Sequence, residues 1–341
     1  MEVTSVHIER LLEAARTAPS RDNTQPWRFT VHGDAGERIS FGLDHERDPF
    51  PDKTMARIAV GAAVECACVA AARMGSAVRF QEPHEGALVT MSITAPKRLP
   101  EPDLARTRRV TNRRAYDGRA LDDATAHSLR EATPARDRAQ THWFGRERVR
   151  ALGPLFEQAE ELFFLDAGLR EQTLSAIRFD VKDRDEVARG MSLGSLELSA
   201  GERATLAGLR RSLDPRFAAA ELKKMGARAR RLIESASGVC IITTVGSDPM
   251  ADVDVGRAMQ RAWMALTQRG LAAHPMTTMM SLSLALSVAD EARAAALLAA
   301  FRRAFPSVGQ EARIAFLMRF GWAEPPSCRV GRLPLKDSLA T

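Results

Sequence analysis

Val60 to Val78 reads VGAAVECACVAAARMGSAV, and Val255 to Ala273 reads VGRAMQRAWMALTQRGLAA. Val60/Val255, Gly61/Gly256, Ala63/Ala258, Ala67/Ala262, Ala70/Ala265, Gly75/Gly270 and Ala77/Ala272 share one offset of 195 residues. Both stretches are alanine-rich and long enough for a helix, and each has a glycine where a left-handed C′ residue closes one. Upstream, Glu13-Ala14 and Trp27 echo Glu131-Ala132 and Trp143 at offsets of 118 and 116. Two alanine-rich helices can match by composition alone. The flanking elements, however, recur in one order: helix, strand, long helix, strand. The spacing therefore predicts an internal repeat, with a first copy in residues 1–100 and a second in 101–341. The change of offset leaves about 78 extra residues, which must lie between Phe144 and Ser237.

The remaining elements follow from periodicity. Helices are expected over Ser5–Thr17, Thr54–Met74, Asp122–Ala132, Asp252–Arg269 and Ala294–Phe305, with Asp122 as an N-cap. Strands are expected over Arg28–His32, Arg38–Leu43, Ala87–Thr94, Thr141–Phe144, Gly238–Val245 and Ala312–Phe320. Gly33 to Gly36 suits a turn, and Pro96, Pro100 and Pro102 mark a joint. Residues 146 to 235 read as charged, mostly amphipathic helix.

Composition narrows the function classes. The chain has 341 residues, 45% hydrophobic and 27% charged, which excludes disorder, collagen and a disulfide-stapled miniprotein. Net charge is +6, and 43 of the 49 basic residues are arginines. That excess is either compositional bias or a grip on an anion, because guanidinium matches phosphate geometry. The longest small-apolar run, Ile58 to Ala72, contains Glu65 and falls short of the ~18 residues a membrane span needs. The N-terminus shows no apolar signal region. Cys66, Cys68, Cys240 and Cys328 form no CxxC pair, so free thiols in a reducing cytoplasm are expected. No metal-ligand spacing and no Ser/His/Asp arrangement is visible, so neither a catalytic side chain nor a metal ligand is assigned.

Four constellations stand out. Ala18-Pro19-Ser20-Arg21-Asp22-Asn23-Thr24-Gln25-Pro26-Trp27 is a proline-bracketed loop with short donors and acceptors. It suits reading the edge of a planar heterocycle, or it is a plain loop with Trp27 as a core plug. Arg108-Arg109-Val110-Thr111-Asn112-Arg113-Arg114 places Arg109, Thr111 and Arg113 at i, i+2 and i+4. In an extended segment these three point one way and form a phosphate grip; the alternative is a solvated basic surface. A nucleic-acid patch is disfavoured, since the run is short and no aromatics interleave with it. The third is Gly270-Leu271-Ala272-Ala273-His274-Pro275-Met276-Thr277-Thr278. The fourth is the tail Arg329-Val330-Gly331-Arg332-Leu333-Pro334-Leu335.

Taken together these segments resemble the nitroreductase family of FMN-binding oxidoreductases. APSRDNTQPW is similar to that family's APSxxNxQPW loop. ARTRRVTNRRAY resembles its Arg-x-Ser-x-Arg phosphate segment, with Thr111 in the serine place. GLAAHPM sits where the family has a turn after its long helix, and VGRLPL resembles its basic tail. The duplicated arrangement looks most like the two-repeat, Acg-type branch known from mycobacteria. The resemblance implies an α+β fold, a mostly antiparallel central sheet flanked by helices, with two fused repeats forming a pseudo-dimer in one chain. It implies FMN phosphate contacts at Arg109, Thr111, Arg113, Arg332 and Arg329. Ring contacts fall on Pro19, Ser20 and Asn23, with Arg21 nearby, and on the Met276, Thr277 and Thr278 turn. Many members carry Glu-Gly at that turn, so Thr277-Thr278 is a departure that bears on nicotinamide handling.

The family's homodimers build each site from two subunits. Here only the first half keeps the loop and only the second keeps the arginine cluster. One FMN per chain is therefore expected, in a monomer mimicking the dimer, with further pairing left open. The insertion at about 150–235 corresponds to a lid in the Acg-type branch, or is a peripheral helical bundle. The implied activity is two-electron transfer through flavin N5 to a small nitroaromatic or quinone-like acceptor, with NAD(P)H as candidate reductant. FMN sequestration under a lid, or a specialised dehydrogenase or oxidase, are the alternatives.

Overall fold

The computed structural model describes residues 6–33, 38–84, 86–97, 108–181, 187–211, 215–285 and 288–340. Most of the turn at 33–36 and the joint around residue 100 lie outside these residues.

The first half contains α1 (Val6–Ala15), β1 (Trp27–His32), β2 (Arg38–Leu43), α2 (Thr54–Arg73), β3 (Val78–Gln81) and β4 (Ala87–Ile93). The second contains α3 (Asp123–Ala132), β5 (Ala139–Gly145), β8 (Gly238–Thr244), α8 (Pro249–Gln268), β9 (Ala272–Pro275) and β10 (Arg313–Gly321). The α+β class expected from the sequence is the one observed, and the antiparallel sheet occurs once per half. The strand order is β1-β2-β4-β3 in the first sheet and β5-β8-β10-β9 in the second. Element for element the two orders are the same.

The repeat meets itself at the crossing of α2 and α8. A Cβ on Gly61 would lie 2.0 Å from the Val253 carbonyl oxygen, and one on Gly256 would lie 1.9 Å from that of Ile58. Ile58 and Val253 are themselves 195 residues apart. The contact is thus reciprocal, as at a two-fold interface between identical subunits. Only glycine allows helix backbones to approach this closely. Arg57 and Asp252, also 195 apart, pair across the crossing at 2.7 Å. Helix α2 is long and apolar enough to cross a membrane, but 72% of its most apolar window is buried inside the protein. It is a core helix.

The core joins both halves. Trp27, Phe29, Ile39 and Phe41 are fully buried in the first sheet, and Phe29 meets Phe41 edge-to-face at 5.4 Å. Every residue of β8 is buried, which explains why its sequence runs GVCIITT without alternation. Asp122 caps α3 as expected, its carboxylate accepting from the Thr125 amide at 2.7 Å.

Two insertions separate the copies. Between β5 and β8 lie α4 (Arg146–Leu165), α5 (Ala167–Ser175), the two-residue parallel strands β6 (Ile177–Arg178) and β7 (Met191–Ser192), α6 (Ala200–Arg211) and α7 (Pro215–Glu234). This is the excess deduced from the repeat offsets. Helices α4 and α7 pack tightly, since a Cβ on Gly226 would sit 2.6 Å from the Glu157 carbonyl oxygen. The second insertion places α9 (Thr278–Leu284) and α10 (Glu291–Arg303) between β9 and β10. Only α10 was expected, and not as an insertion.

Candidate functional site

The loop after α1 is held in an unusual shape. Asp22, Asn23 and Gln25 all have positive φ, at 49°, 55° and 54°. This region costs L-residues about a kilocalorie per mole or more each unless surroundings fix it. The surroundings are polar and specific. The Gln25 amide donates to Ser20 Oγ at 2.9 Å, and its side chain donates to the Ala188 carbonyl at 2.7 Å. The Leu333 amide donates to Gln25 Oε1 at 2.9 Å. Asn23 Nδ2 faces the carbonyls of Ala188, Gly190 and Gly331, each at 3.3 Å. Ser20 thus braces the loop internally, while Asn23 and Gln25 tie it to the large insertion and to the tail.

The arginine segment runs extended, as its alternation predicts. Thr111 bridges Ala273 of β9, and the Asn112 amide donates to the Ala273 carbonyl at 3.0 Å. Arg109 donates to the Thr17 carbonyl at 2.8 Å and lies over the Trp263 ring. Arg113 donates to the Ser195 carbonyl at 3.0 Å. Arg332 donates to the Ala18 carbonyl at 2.9 Å and to Asn23 Oδ1 at 3.0 Å, so it also fastens the loop. Arg329 is exposed at the rim.

These pieces meet in one system of three adjoining cavities. The largest, about 350 Å³, is bordered by Pro19, Ser20, Asn23, Arg109, Thr111, Arg113, Arg329 and Arg332. A second, about 120 Å³, runs between α2 and α8 past Arg21, Met55, Ile58, Trp263, His274 and Thr277. The third, about 180 Å³, lies against the insertion and is bordered by Glu160, Met276, Thr277 and Thr278. Every site residue expected from the sequence lines at least one of them. Asp22 and Arg113 line all three.

The electrostatics come from depth. Burial raises the Asp22 carboxyl above the ordinary range, against the opposing charges of Arg21 and Arg113. Its Oδ2 is buried and accepts no hydrogen bond, with Arg21 Nε standing 3.7 Å away. Burial lowers the Arg113 guanidinium to about 10, with Asp22 working against that. His274 sits beside Arg319, whose Nε–H donates to His274 Nδ1 at 3.1 Å. Burial, then the charges of Arg319, Arg113 and Arg228, hold the imidazole well below its usual pKa. The ring is neutral, with its proton on Nε2. It can donate one hydrogen bond but does not serve as a strong acid. Glu160 of α4 accepts from Thr278 Oγ1 at 2.7 Å, and burial raises its carboxyl.

Asp22, Glu160 and Arg319 were not singled out as site groups from the sequence. Asp22 lay inside the quoted loop, where its positive φ could not be seen. Arg319 carried a signal: a lone charge in the apolar run IAFLMRF. Glu160 carried none, because it lies in a charged helix whose packing is tertiary.

A chemical fit follows from these groups. Guanidinium forks from the 109–113 segment and from the C-terminal tail crowd the large cavity, as a phosphate ester needs. The buried Asp22 Oδ2 is an acceptor available to a ring N–H, and Met55, Ile58 and Trp263 give the α2–α8 cavity an apolar side. A phosphorylated planar heterocycle such as FMN meets these requirements.

The corresponding place in the other half is closed by ions. Arg257 donates to Glu65 at 3.2 Å and to Asp137 at 3.0 Å, and its guanidinium lies 4.7 Å from the Phe80 ring. Arg261 reaches the same Glu65 carboxylate at 2.9 Å, and Arg138 pairs with Asp254 at 3.4 Å. Asp137, in the loop corresponding to that of Asp22, keeps the positive φ at 56°. The loop shape is duplicated while the cavity chemistry is not.

Fold and site thus define a duplicated α+β protein with one arginine-lined cleft assembled from both halves. Residues 2–47 match the model of the nitroreductase family. An uncharacterized protein of Mycobacterium tuberculosis is 27% identical over 282 residues, covering 79% of this chain and 38% of that protein. The chain thus spans well under half the length of that curated relative. Among solved structures, the FMN-dependent nitroreductase NfnB of Mycobacterium smegmatis in complex with NADPH is 16% identical. It matches 70% of this chain and 97% of its own, at a TM-score of 0.40. A nitroreductase with bound FMN from Bacteroides fragilis is 13% identical, covering 64% and 87%, at a TM-score of 0.35.

Proposed function

We propose that the cleft binds one FMN and that the chain is an FMN-dependent oxidoreductase of the nitroreductase type. The observation that carries this is the convergence of Arg109, Thr111, Arg113 and Arg332 with the Ser20–Asn23 loop around one cleft. Arg109, Thr111, Arg113, Arg329 and Arg332 hold the phosphate. Pro19, Ser20, Arg21 and Asn23, with the Met276-Thr277-Thr278 turn, border the ring. When bound, the flavin supplies two-electron transfer through N5 to a small nitroaromatic or quinone-like acceptor.

The protein's own part is binding, orientation and exclusion of water. Asp22 accepts from the ring edge, His274 offers a neutral N–H, and α4 with the 187–196 segment covers the cavity as a lid. We read residues 1–100 and 101–341 as the two repeats and about 150–235 as the lid insertion, in the Acg-type arrangement. The molecule is a monomer mimicking a dimer, its free thiols suited to the cytoplasm, and its partners are small molecules rather than nucleic acid or membrane.

A second reading is favoured by one contact. Thr278 is engaged by Glu160 of the lid, in the turn where many relatives carry Glu-Gly. A turn so occupied suits FMN sequestration, or a substrate-reduced dehydrogenase or oxidase, over NAD(P)H turnover. Anaerobic addition of NADH or NADPH to the yellow protein separates them. Prompt bleaching near 450 nm supports the NAD(P)H-driven reductase. Flavin that neither nicotinamide reduces supports the second reading, and protein that binds no FMN refutes both.

A further inference from the structure

Arg319 is fully buried in the apolar strand β10 and lies directly opposite His274 in the antiparallel pairing with β9. Its Nε–H donates to His274 Nδ1 at 3.1 Å. Nη1 donates to the Leu232 carbonyl at 2.9 Å and to Ser235 Oγ at 3.4 Å. Nη2 donates to the carbonyls of Arg114 at 2.7 Å and Asn112 at 3.4 Å. Each guanidinium N–H thus has an acceptor, and the group lies over the Tyr116 ring at 3.9 Å. Burial lowers it to about 10, so it stays charged through neutral pH. Arginine only donates. His274 Nδ1 must therefore carry a lone pair, and the ring proton lies on Nε2. A proton on Nδ1 would set two donors against each other, beside the charges of Arg113 and Arg228. The Arg319 contact is the one hydrogen bond of the His274 side chain among the described residues. His274 borders the α2–α8 cavity and the cavity under the insertion; Asp22 borders both as well, and Glu160 the second. Neither carboxyl is bonded to the imidazole among the described residues, so Nε2–H is left for a bound molecule.

We propose that Arg319 is a positioning residue that locks His274 in the Nε2–H tautomer, so that the imidazole presents a constant donor to an oxygen or unprotonated nitrogen of the ring bound in the α2–α8 cavity. The proposal deepens the oxidoreductase reading and rests on it for the identity of that ring as flavin. An ordinary histidine changes charge near neutral pH. This one keeps one donor and no charge, so the ring meets the same hydrogen bond across that range. The same guanidinium holds the phosphate segment at Asn112 and Arg114 and the insertion at Leu232, which ties the donor's place to both walls of the site.

The test is nitrogen NMR of histidine-labelled protein with and without FMN, the His274 signals being assigned by their loss in His274→Gln. Without FMN, His274 should show Nε2 protonated and Nδ1 bare, unchanged from about pH 8 to about pH 6. Arg319→Lys keeps a donor and should keep that tautomer, while Arg319→Met should admit the Nδ1-protonated form. If Arg319→Met does not fold, the tautomer and its pH response in the unaltered protein carry the same test. On FMN binding the Nε2 proton should shift and exchange more slowly with solvent. FMN should bind about fivefold more weakly to His274→Phe, and within about twofold to His274→Gln, which keeps an N–H. An Nδ1–H tautomer, an imidazolium at about pH 6, or an unchanged tautomer in Arg319→Met overturns the positioning role. An Nε2 proton that bound FMN leaves unmoved overturns the donor role. Protein that takes up no FMN sinks the flavin reading, while a locked tautomer in it still upholds the role of Arg319.

Discussion

Replacing Gly256 by alanine tests the helix crossing on which the duplicated architecture depends. The new Cβ would lie 1.9 Å from the Ile58 oxygen, 2.8 Å from the Ile58 carbonyl carbon and 2.9 Å from the Ala62 nitrogen. All three are backbone atoms of α2, so no side chain can rotate away. The helices must part by more than an ångström to bring the shortest contact to 3.0 Å. Overpacking of a tight interior costs about 1–3 kcal/mol, and a backbone obstacle puts this site at the upper end. Alanine returns about 1 kcal/mol of helix propensity. The net is a destabilisation of about 2 kcal/mol. With about 2.1 cal/mol/K of unfolding entropy per residue, that lowers the melting temperature of a 341-residue chain by about 3 °C. Gly208 provides the control, because it is exposed in α6 and a Cβ there meets no atom within 4 Å. Gly208→Ala should stabilise by up to about 1 kcal/mol. Thermal and urea unfolding of both variants measure the contrast. A neutral or stabilising Gly256→Ala, or two shifts of the same sign, would refute the reciprocal glycine contact.

Two further outcomes follow. Arg109→Ala or Arg113→Ala removes a charge-assisted bond worth roughly 1.5–3 kcal/mol, so FMN retention measured by flavin fluorescence should weaken about tenfold or more for each; unchanged retention would reduce the cluster to surface charge. The imidazole of His274 is kept neutral by burial and by Arg319, Arg113 and Arg228. A histidine depressed in the folded state lends stability above its unfolded pKa of about 6.5 and loses it as pH falls below that value. The unfolding free energy should therefore drop from pH 7 to pH 5, by at most about 1.4 kcal/mol per pH unit from this group. In His274→Gln the slope should be shallower, and an unchanged slope would place the pH response elsewhere.

The duplication was legible because its helices are constrained at particular positions. Gly61 and Gly256 must be glycine for two backbones to touch, and Gly75 and Gly270 both take positive φ at 70° where the helices end. The cleft was legible where local chemistry repeats a pattern, as in the alternating Arg109, Thr111 and Arg113. What stayed hidden was tertiary. Strands β3 (VRFQ) and β9 (AAHP) are four residues each, too short for alternation to declare them. The α9–α10 insertion carries no composition break. Arg332 was expected only as a phosphate contact, yet it also clamps the Ala18 carbonyl, a role set by where a distant tail happens to pass. The closed second site depends on Glu65, Arg257 and Asp137 meeting from three separate elements.

The most direct test of the central claim is flavin stoichiometry. Protein reconstituted with excess FMN and freed of unbound cofactor is assayed for flavin absorbance against chain concentration, with mass measured in solution. One FMN per chain is the predicted result, since one composite cleft retains both the loop and the arginines while its counterpart is closed by Arg257 and Glu65. Two FMN per chain, or none, would contradict it.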